Sequence, residues 1–175
     1  MVWAPNAGPF RGAEMNCAYM VMGVSGCGKS TVGAAFADRI GAVFLDGDDY
    51  HPQQNVDHMA AGHALTDEMR WPWLDRLAAE VIVRQRDETV VFACSALKRS
   101  YRMHLRDRIP RLEVVYLEAD RDLIAKRLGA RHDHFMPASL LDSQFATLEA
   151  PETCFARIDI GQPVTKIIDQ LERLV

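Results

Sequence analysis

The stretch Gly23–Ser30, GVSGCGKS, decides how this chain is read. It fits the pattern G-x-x-x-x-G-K-[ST]. A short apolar run, Ala18–Met22, precedes it, and from Lys29 the apolar period changes, with Val32, Phe36 and Ile40 at i, i+4 and i+8. A strand, a glycine-rich turn and a helix in that order are the context the pattern needs. Glycines let successive backbone N–H groups turn inward toward phosphate oxygens. The start of a helix adds the positive end of its dipole. The stretch is therefore expected to cradle the phosphates of a nucleotide. Lys29 would meet the β- and γ-phosphates, and the Ser30 hydroxyl would ligate Mg²⁺.

Outward from this point, strand-like and helix-like segments alternate. Ala42–Leu45, Thr89–Cys94, Glu113–Leu117 and Phe155–Ile160 read as further strands. Gly41 suits the stop of the first helix. A short helix is expected between His51 and His63, ending at Gly62. Thr66 suits an N-cap, with a longer helix from about Pro72 to Gln85. Arg99–Arg108 reads as a helix stopped by Pro110. Asp120 suits the cap of a helix toward Leu128, and Pro137 suits the first position of one reaching about Leu148. Val164, Ile167, Ile168, Leu171, Leu174 and Val175 form a final apolar stripe. Five mostly apolar strands alternating with helices imply an α/β fold, a parallel sheet covered on both faces. Ligands then gather at the carboxyl ends of the strands.

Composition sets the outer bounds. The chain has 175 residues, 49% of them hydrophobic and 25% charged, which suits one core-forming domain. A net charge of −4 argues against a dedicated nucleic-acid binder. No apolar run approaches the ~18–20 residues of a membrane span. The four cysteines, Cys17, Cys27, Cys94 and Cys154, show neither C-x-x-C nor zinc-ligand spacing, so free thiols in a reducing, cytoplasmic setting are expected. Cys27, inside the glycine-rich turn, reads either as a thiol made reactive by the helix end or as a small space-filler. Residues 1–16 lack the basic and apolar regions of a secretory signal and are expected to be a disordered tail, with Met15 or Met20 the more natural start. Residues 17–175 are expected to be the single folded domain.

The second strand delivers LDGDDYHP, Leu45–Pro52. Asp46, Asp48, Asp49 and His51 crowd the end of an otherwise apolar strand. One aspartate there suits Mg²⁺ held through water, and another suits a general base for an attacking hydroxyl.

With these residues in hand, the chain resembles the gluconokinases, P-loop kinases related to shikimate kinase. The resemblance rests on GVSGCGKSTVG (Gly23–Gly33), FLDGDDYHP (Phe44–Pro52), and Asn55 with Met59 and Gly62. It continues through LTDEMRWPWL (Leu65–Leu74), CSALKRSYRMHLR (Cys94–Arg106), and HFMP, SQF and LE (His134–Pro137, Ser143–Phe145, Leu148–Glu149). Met69 and Trp71 stand where the family is commonly more polar, with Arg70 and Pro72 in place. The resemblance implies a P-loop NTPase-type sheet of order 2-3-1-4-5, a mobile lid and a homodimer. It implies ATP and Mg²⁺ as cofactors and phosphorylation of D-gluconate on its 6-hydroxyl, within gluconate catabolism.

The chemistry of such a substrate suits the residues present. A polyhydroxyl anion and ATP together need carboxylates for hydroxyls and fixed cations for charge. Gly23, Val24, Ser25, Gly26, Cys27, Gly28, Lys29, Ser30 and Thr31 are assigned to ATP, with Ser30 and Asp46 for Mg²⁺, the latter through water. Asp48 is assigned as general base and hydroxyl ligand, and His51 as a hydroxyl partner. Arg70 and Lys98 are assigned to the gluconate carboxylate, since a guanidinium meets a planar carboxylate with two hydrogen bonds. Arg102 joins Lys98 at the substrate, as does His134, while Arg99, Arg106 and Arg108 read as a solvated face. The segment from about 127 to 137 is read as the lid, with Arg127 and Arg131 stabilising the transferring phosphoryl group. His132 and His134 are read as part of that cationic lid rather than a metal pair, and Trp71 and Trp73 as packing. Two rivals remain. A regulatory nucleotide switch would carry N-K-x-D, which is missing, and a shikimate or nucleoside monophosphate kinase would carry a different acceptor loop.

Overall fold

The computed structural model describes residues 15–129 and 138–175. The first fourteen residues of the expected tail, and lid residues 130–137 with Arg131, His132, His134 and Pro137, lie outside the described residues. Met15 and Asn16, at the end of that tail, are already tied to the body. Asn16 and Gln85 exchange hydrogen bonds of 2.5–3.2 Å, and the Arg111 guanidinium donates to the Met15 carbonyl.

Five parallel strands form one sheet in the order β2-β3-β1-β4-β5, the order the resemblance implies. They are β1 (Ala18–Met22), β2 (Val43–Asp46), β3 (Val90–Ala93), β4 (Leu112–Glu118) and β5 (Ala156–Asp159). β1 lies at the centre, where the direction of strand addition reverses and a crevice opens at the carboxyl ends. All five of its residues are buried. Alternate side chains serve two cores, as the two-residue period of a strand requires. Ala18, Met20 and Met22 pack with Trp73, Leu77 and Leu105 on one face. Tyr19 and Val21 pack with Val32, Phe36 and Ile168 on the other.

The helices follow the strands. α1 (Lys29–Ile40) ends at Gly41, whose left-handed backbone (φ 66°) lets its N–H bond back to the last turn. A 3-10 turn, Gly47–Tyr50, follows β2, and α2 (Gln53–Ala60) comes next. α3 (Asp67–Gln85) begins five residues before the expected Pro72. Thr66 caps it, its hydroxyl accepting from Met69 N–H at 3.4 Å. Pro72 sits inside the helix and, lacking an N–H, forgoes the bond to the Glu68 carbonyl. α4 (Arg99–Arg106), α5 (Arg121–Gly129), α6 (Ala138–Thr147) and α7 (Val164–Glu172) complete the chain. Asp120 caps α5 through bonds to Asp122 and Leu123 N–H. The last apolar stripe is shorter than its spacing suggests: Ile167, Ile168 and Leu171 are buried, but α7 ends at Glu172 and leaves Leu174 and Val175 exposed.

Candidate active site

The loop between β1 and α1 is built as its sequence requires. Gly28 lies at φ 94°, a left-handed conformation that aims the loop into the helix. At Gly23, a β-carbon would stand 2.8 Å from both the Cys27 sulfur and the Leu117 carbonyl, so only glycine lets the chain pass. The N–H groups of Gly26, Gly28 and Ser30 have no acceptor among the described residues. Lys29 Nζ rests on the Val24 carbonyl at 3.1 Å, arching back over the loop. The loop therefore offers converging donors and a cation in one place. Cys27 settles as the space-filling alternative. Its side chain is buried and burial pushes its thiol pKa up, which opposes reactivity. All four cysteines are free thiols.

Ser30 donates its hydroxyl to Asp46 Oδ2 at 2.6 Å, and Asp46 Oδ1 accepts from Asp48 N–H at 3.1 Å. The first bond joins the start of α1 to the end of β2. The second fixes the turn that projects Asp48. A hydroxyl and a carboxylate at one point are hard oxygen donors that fit Mg²⁺, which takes few protein ligands beside phosphate and water. No group of three or more His, Cys, Asp or Glu side chains suited to a metal occurs among the described residues. The Asp48 side chain is 84% exposed, open to an incoming hydroxyl.

His51 is positioned from three sides. Its ring stacks on Trp73 with centroids 4.1 Å apart, and its Nδ1 faces the Asn55 amide nitrogen at 3.4 Å. With Asn55 as donor, the ring proton is assigned to Nε2, which faces Asp48 Oδ1 at 3.8 Å. Burial lowers the His51 pKa, with the Asp48 charge opposing the shift. The imidazole is therefore neutral at neutral pH. Trp73 is packing as expected, and its indole N–H also donates to the Gly47 carbonyl at 2.7 Å, pinning the turn that carries Asp48.

Arg70 and Lys98 converge on groups that sequence reasoning missed, Asp67 and Tyr101. Lys98 Nζ lies 2.9 Å from both Asp67 carboxylate oxygens. The Tyr101 hydroxyl donates to Asp67 as well, and Arg70 stands 3.9 Å from it while donating to the Leu65 carbonyl. Both cations lie over the Tyr101 ring. The Tyr101 hydrogen bond, then Lys98, holds the Asp67 carboxyl below its ordinary pKa, and Asp67 in turn raises that of Lys98. The signal for Asp67 was its place in the first turn after Thr66, beside Arg70 in the same helix.

The assignment of Arg102 to the substrate is corrected. Its guanidinium is buried and donates to the carbonyls of Ala96, Leu97 and Glu149 at 2.8–3.0 Å. These bonds hold the turn before Lys98, where Ala96 adopts φ 41°. The i, i+4 spacing put Arg102 on the face of Lys98, but α4 turns that position inward against the chain. Arg127 stands on the other side of the phosphate loop, donating to the Ile160 carbonyl at 2.7 Å. With Gly26, Gly28, Thr31, Gln162 and Val164 it lines a cavity of about 330 Å³.

These features together are a glycine-rich cradle of backbone donors, the bonded Ser30–Asp46 oxygen pair, a projecting carboxylate and a cationic cluster, ranged along one sheet edge. The chain matches the AAA domain family over residues 19–151. It is 41% identical to the thermosensitive gluconokinase of Escherichia coli over 161 residues, covering 90% of this chain and 86% of that one. It is 49% identical to a gluconokinase of Gluconobacter oxydans over 137 residues, 75% of each chain. The crystal structure of a gluconokinase from Sinorhizobium meliloti superposes with a TM-score of 0.82 at 42% identity, over 93% of this chain and 95% of that one. Fold, cradle and sequence likeness over most of the chain's length agree, and the chain belongs to the gluconokinase family of P-loop kinases.

Proposed function

We propose that this enzyme transfers the γ-phosphoryl group of ATP to the 6-hydroxyl of D-gluconate, giving 6-phospho-D-gluconate and ADP. The observation that carries the reading is the placement of Asp48. It projects from the turn held by the Asp46 carboxylate, which also accepts from the Ser30 hydroxyl, and His51 Nε2 faces it at 3.8 Å.

In this reading the free N–H groups of the loop and the Lys29 ammonium bind the phosphate oxygens. Ser30 and Asp46 would hold Mg²⁺, the latter through water, and the ion would neutralise charge on the phosphates. Asp48 accepts the proton of the 6-hydroxyl as its oxygen bonds to phosphorus and the bond to the ADP oxygen breaks. His51, its Nε2–H toward Asp48, orients that carboxylate and offers a hydrogen bond to a hydroxyl. Arg70 and Lys98 take the gluconate carboxylate. Arg127 adds positive charge beside the loop, and its cavity is proposed for the nucleotide base.

ADP release measured with D-gluconate, shikimate and nucleoside monophosphates as separate acceptors tests the assignment. Turnover with gluconate alone is expected. Turnover with either of the others, and none with gluconate, would replace it.

A further inference from the structure

One short stretch of chain is bonded to both halves of the site. From α6, Gln144 Oε1 accepts the N–H of Ser25 at 2.6 Å. Five residues on, Glu149 donates its N–H to the Leu97 carbonyl at 3.0 Å, and its carboxylate accepts from Arg99 N–H. Its carbonyl accepts from the buried Arg102 guanidinium at 2.8 Å. Ser25 belongs to the phosphate loop, and Leu97 immediately precedes Lys98. Within the phosphate loop, Cys27 N–H is taken by the Val24 carbonyl. The Ser25 N–H is held from outside the loop by a side chain, while those of Gly26, Gly28 and Ser30 have no acceptor among the described residues.

We propose that Gln144 is a positioning residue for phosphoryl transfer. It fixes the phosphate loop against α6, and Glu149 fixes the loop carrying Lys98 against the same segment. The distance between donor phosphate and acceptor is thereby set by one strut. This rests on the proposed reaction, in which those two loops hold the two substrates. A neutral amide suits the position. It accepts from Ser25 without bringing a negative charge to a loop built for polyphosphate, as a glutamate would. The spacing matters because transfer needs the attacking oxygen in line and close to phosphorus, and a displacement of about 1 Å costs roughly 100-fold in rate.

The test compares wild type with Gln144→Met, which keeps the length but removes the acceptor, and Gln144→Glu, which keeps an acceptor and adds charge. Three quantities are read: kcat and both KM values, thermal unfolding, and amide exchange of the peptide spanning residues 23–30 in nucleotide-free enzyme. In Gln144→Met, kcat is expected to fall about 10- to 100-fold with both KM values changed less than about threefold. Exchange in residues 23–30 rises, and the unfolding temperature is unchanged. In Gln144→Glu, exchange protection returns, kcat recovers to within about tenfold of wild type, and KM for ATP rises through repulsion. Wild-type kcat and exchange in Gln144→Met would overturn the proposal. So would equal losses of kcat and unfolding temperature in both variants, the mark of a merely structural residue. If wild type phosphorylates no gluconate, the reading of the acceptor fails. The exchange comparison needs no acceptor and still decides the role of Gln144.

Discussion

The Ser30 hydroxyl donates to Asp46 Oδ2 at 2.6 Å, linking the first turn of α1 to the last residue of β2. The bond places a hydroxyl and a carboxylate at the carboxyl edge of the sheet, between the phosphate loop and the turn bearing Asp48. Asp46→Asn keeps a partner for Ser30 and removes the charge. The Mg²⁺ concentration needed for half-maximal activity should rise about tenfold or more, since hard divalent cations favour carboxylate oxygens. A magnesium titration of the initial rate checks this, and an unchanged half-maximal concentration would remove Asp46 from the ion's site.

Asp48→Asn should lower kcat by about 10²–10⁴-fold, the range for loss of a general base. KM for ATP should move little, because Asp48 lies beyond the loop that holds the phosphates. Asp49, also exposed on the same turn, has no bonded partner among the described residues, and Asp49→Asn should leave kcat within about twofold, as surface substitutions generally do. Steady-state kinetics on both variants decides between the carboxylates. Loss of turnover in Asp49→Asn with retention in Asp48→Asn would reverse the assignment.

Asp67 gathers Lys98, Tyr101 and Arg70 around one carboxylate. Asp67→Asn frees Lys98 from its ion pair and lets both cations relax toward solvent. KM for gluconate should rise about tenfold, the scale of one charge-assisted hydrogen bond, while KM for ATP stays near wild type. The two KM values measured separately check the split, and a rise confined to ATP would move the cluster out of the acceptor site.

The sheet and the phosphate loop were legible because their signals are local. A β-branched strand such as TVVFAC declares itself, and a glycine pattern between strand and helix fixes both neighbours. The start of α3 was misplaced because proline normally marks a first turn, whereas the Thr66 cap acts earlier and the helix carries Pro72 in its interior. Arg102 was misread because helical spacing gives a shared face but not the burial of one position on it. Asp67 and Gln144 were not singled out because Lys98, which pairs with Asp67, and Ser25, which donates to Gln144, lie 31 and 119 residues away in the chain. Only the folded sheet edge brings those groups together.

Burial lowers the His51 pKa below its unfolded value of about 6.5, so the folded protein favours the neutral ring. The sign follows from proton binding: below about pH 6.5 the unfolded chain takes up the proton more readily than the folded one. Stability from this residue is therefore full above that pH and is lost as pH falls through the folded-state value. Thermal unfolding between pH 7.5 and 5 should decline more steeply for wild type than for His51→Gln. Parallel curves would mean that His51 is not held neutral by its place against Trp73.

The proposed reaction is a phosphoryl transfer to one hydroxyl of one acceptor. Phosphorus–proton correlation NMR of the product, formed from ATP and D-gluconate by the wild-type enzyme, tests it most directly. A single new phosphomonoester is expected, its phosphorus coupled to the two methylene protons on carbon 6, with ADP formed in equal amount. Phosphorus coupled to a methine proton elsewhere on the chain, or ADP and free phosphate with no ester, would contradict it.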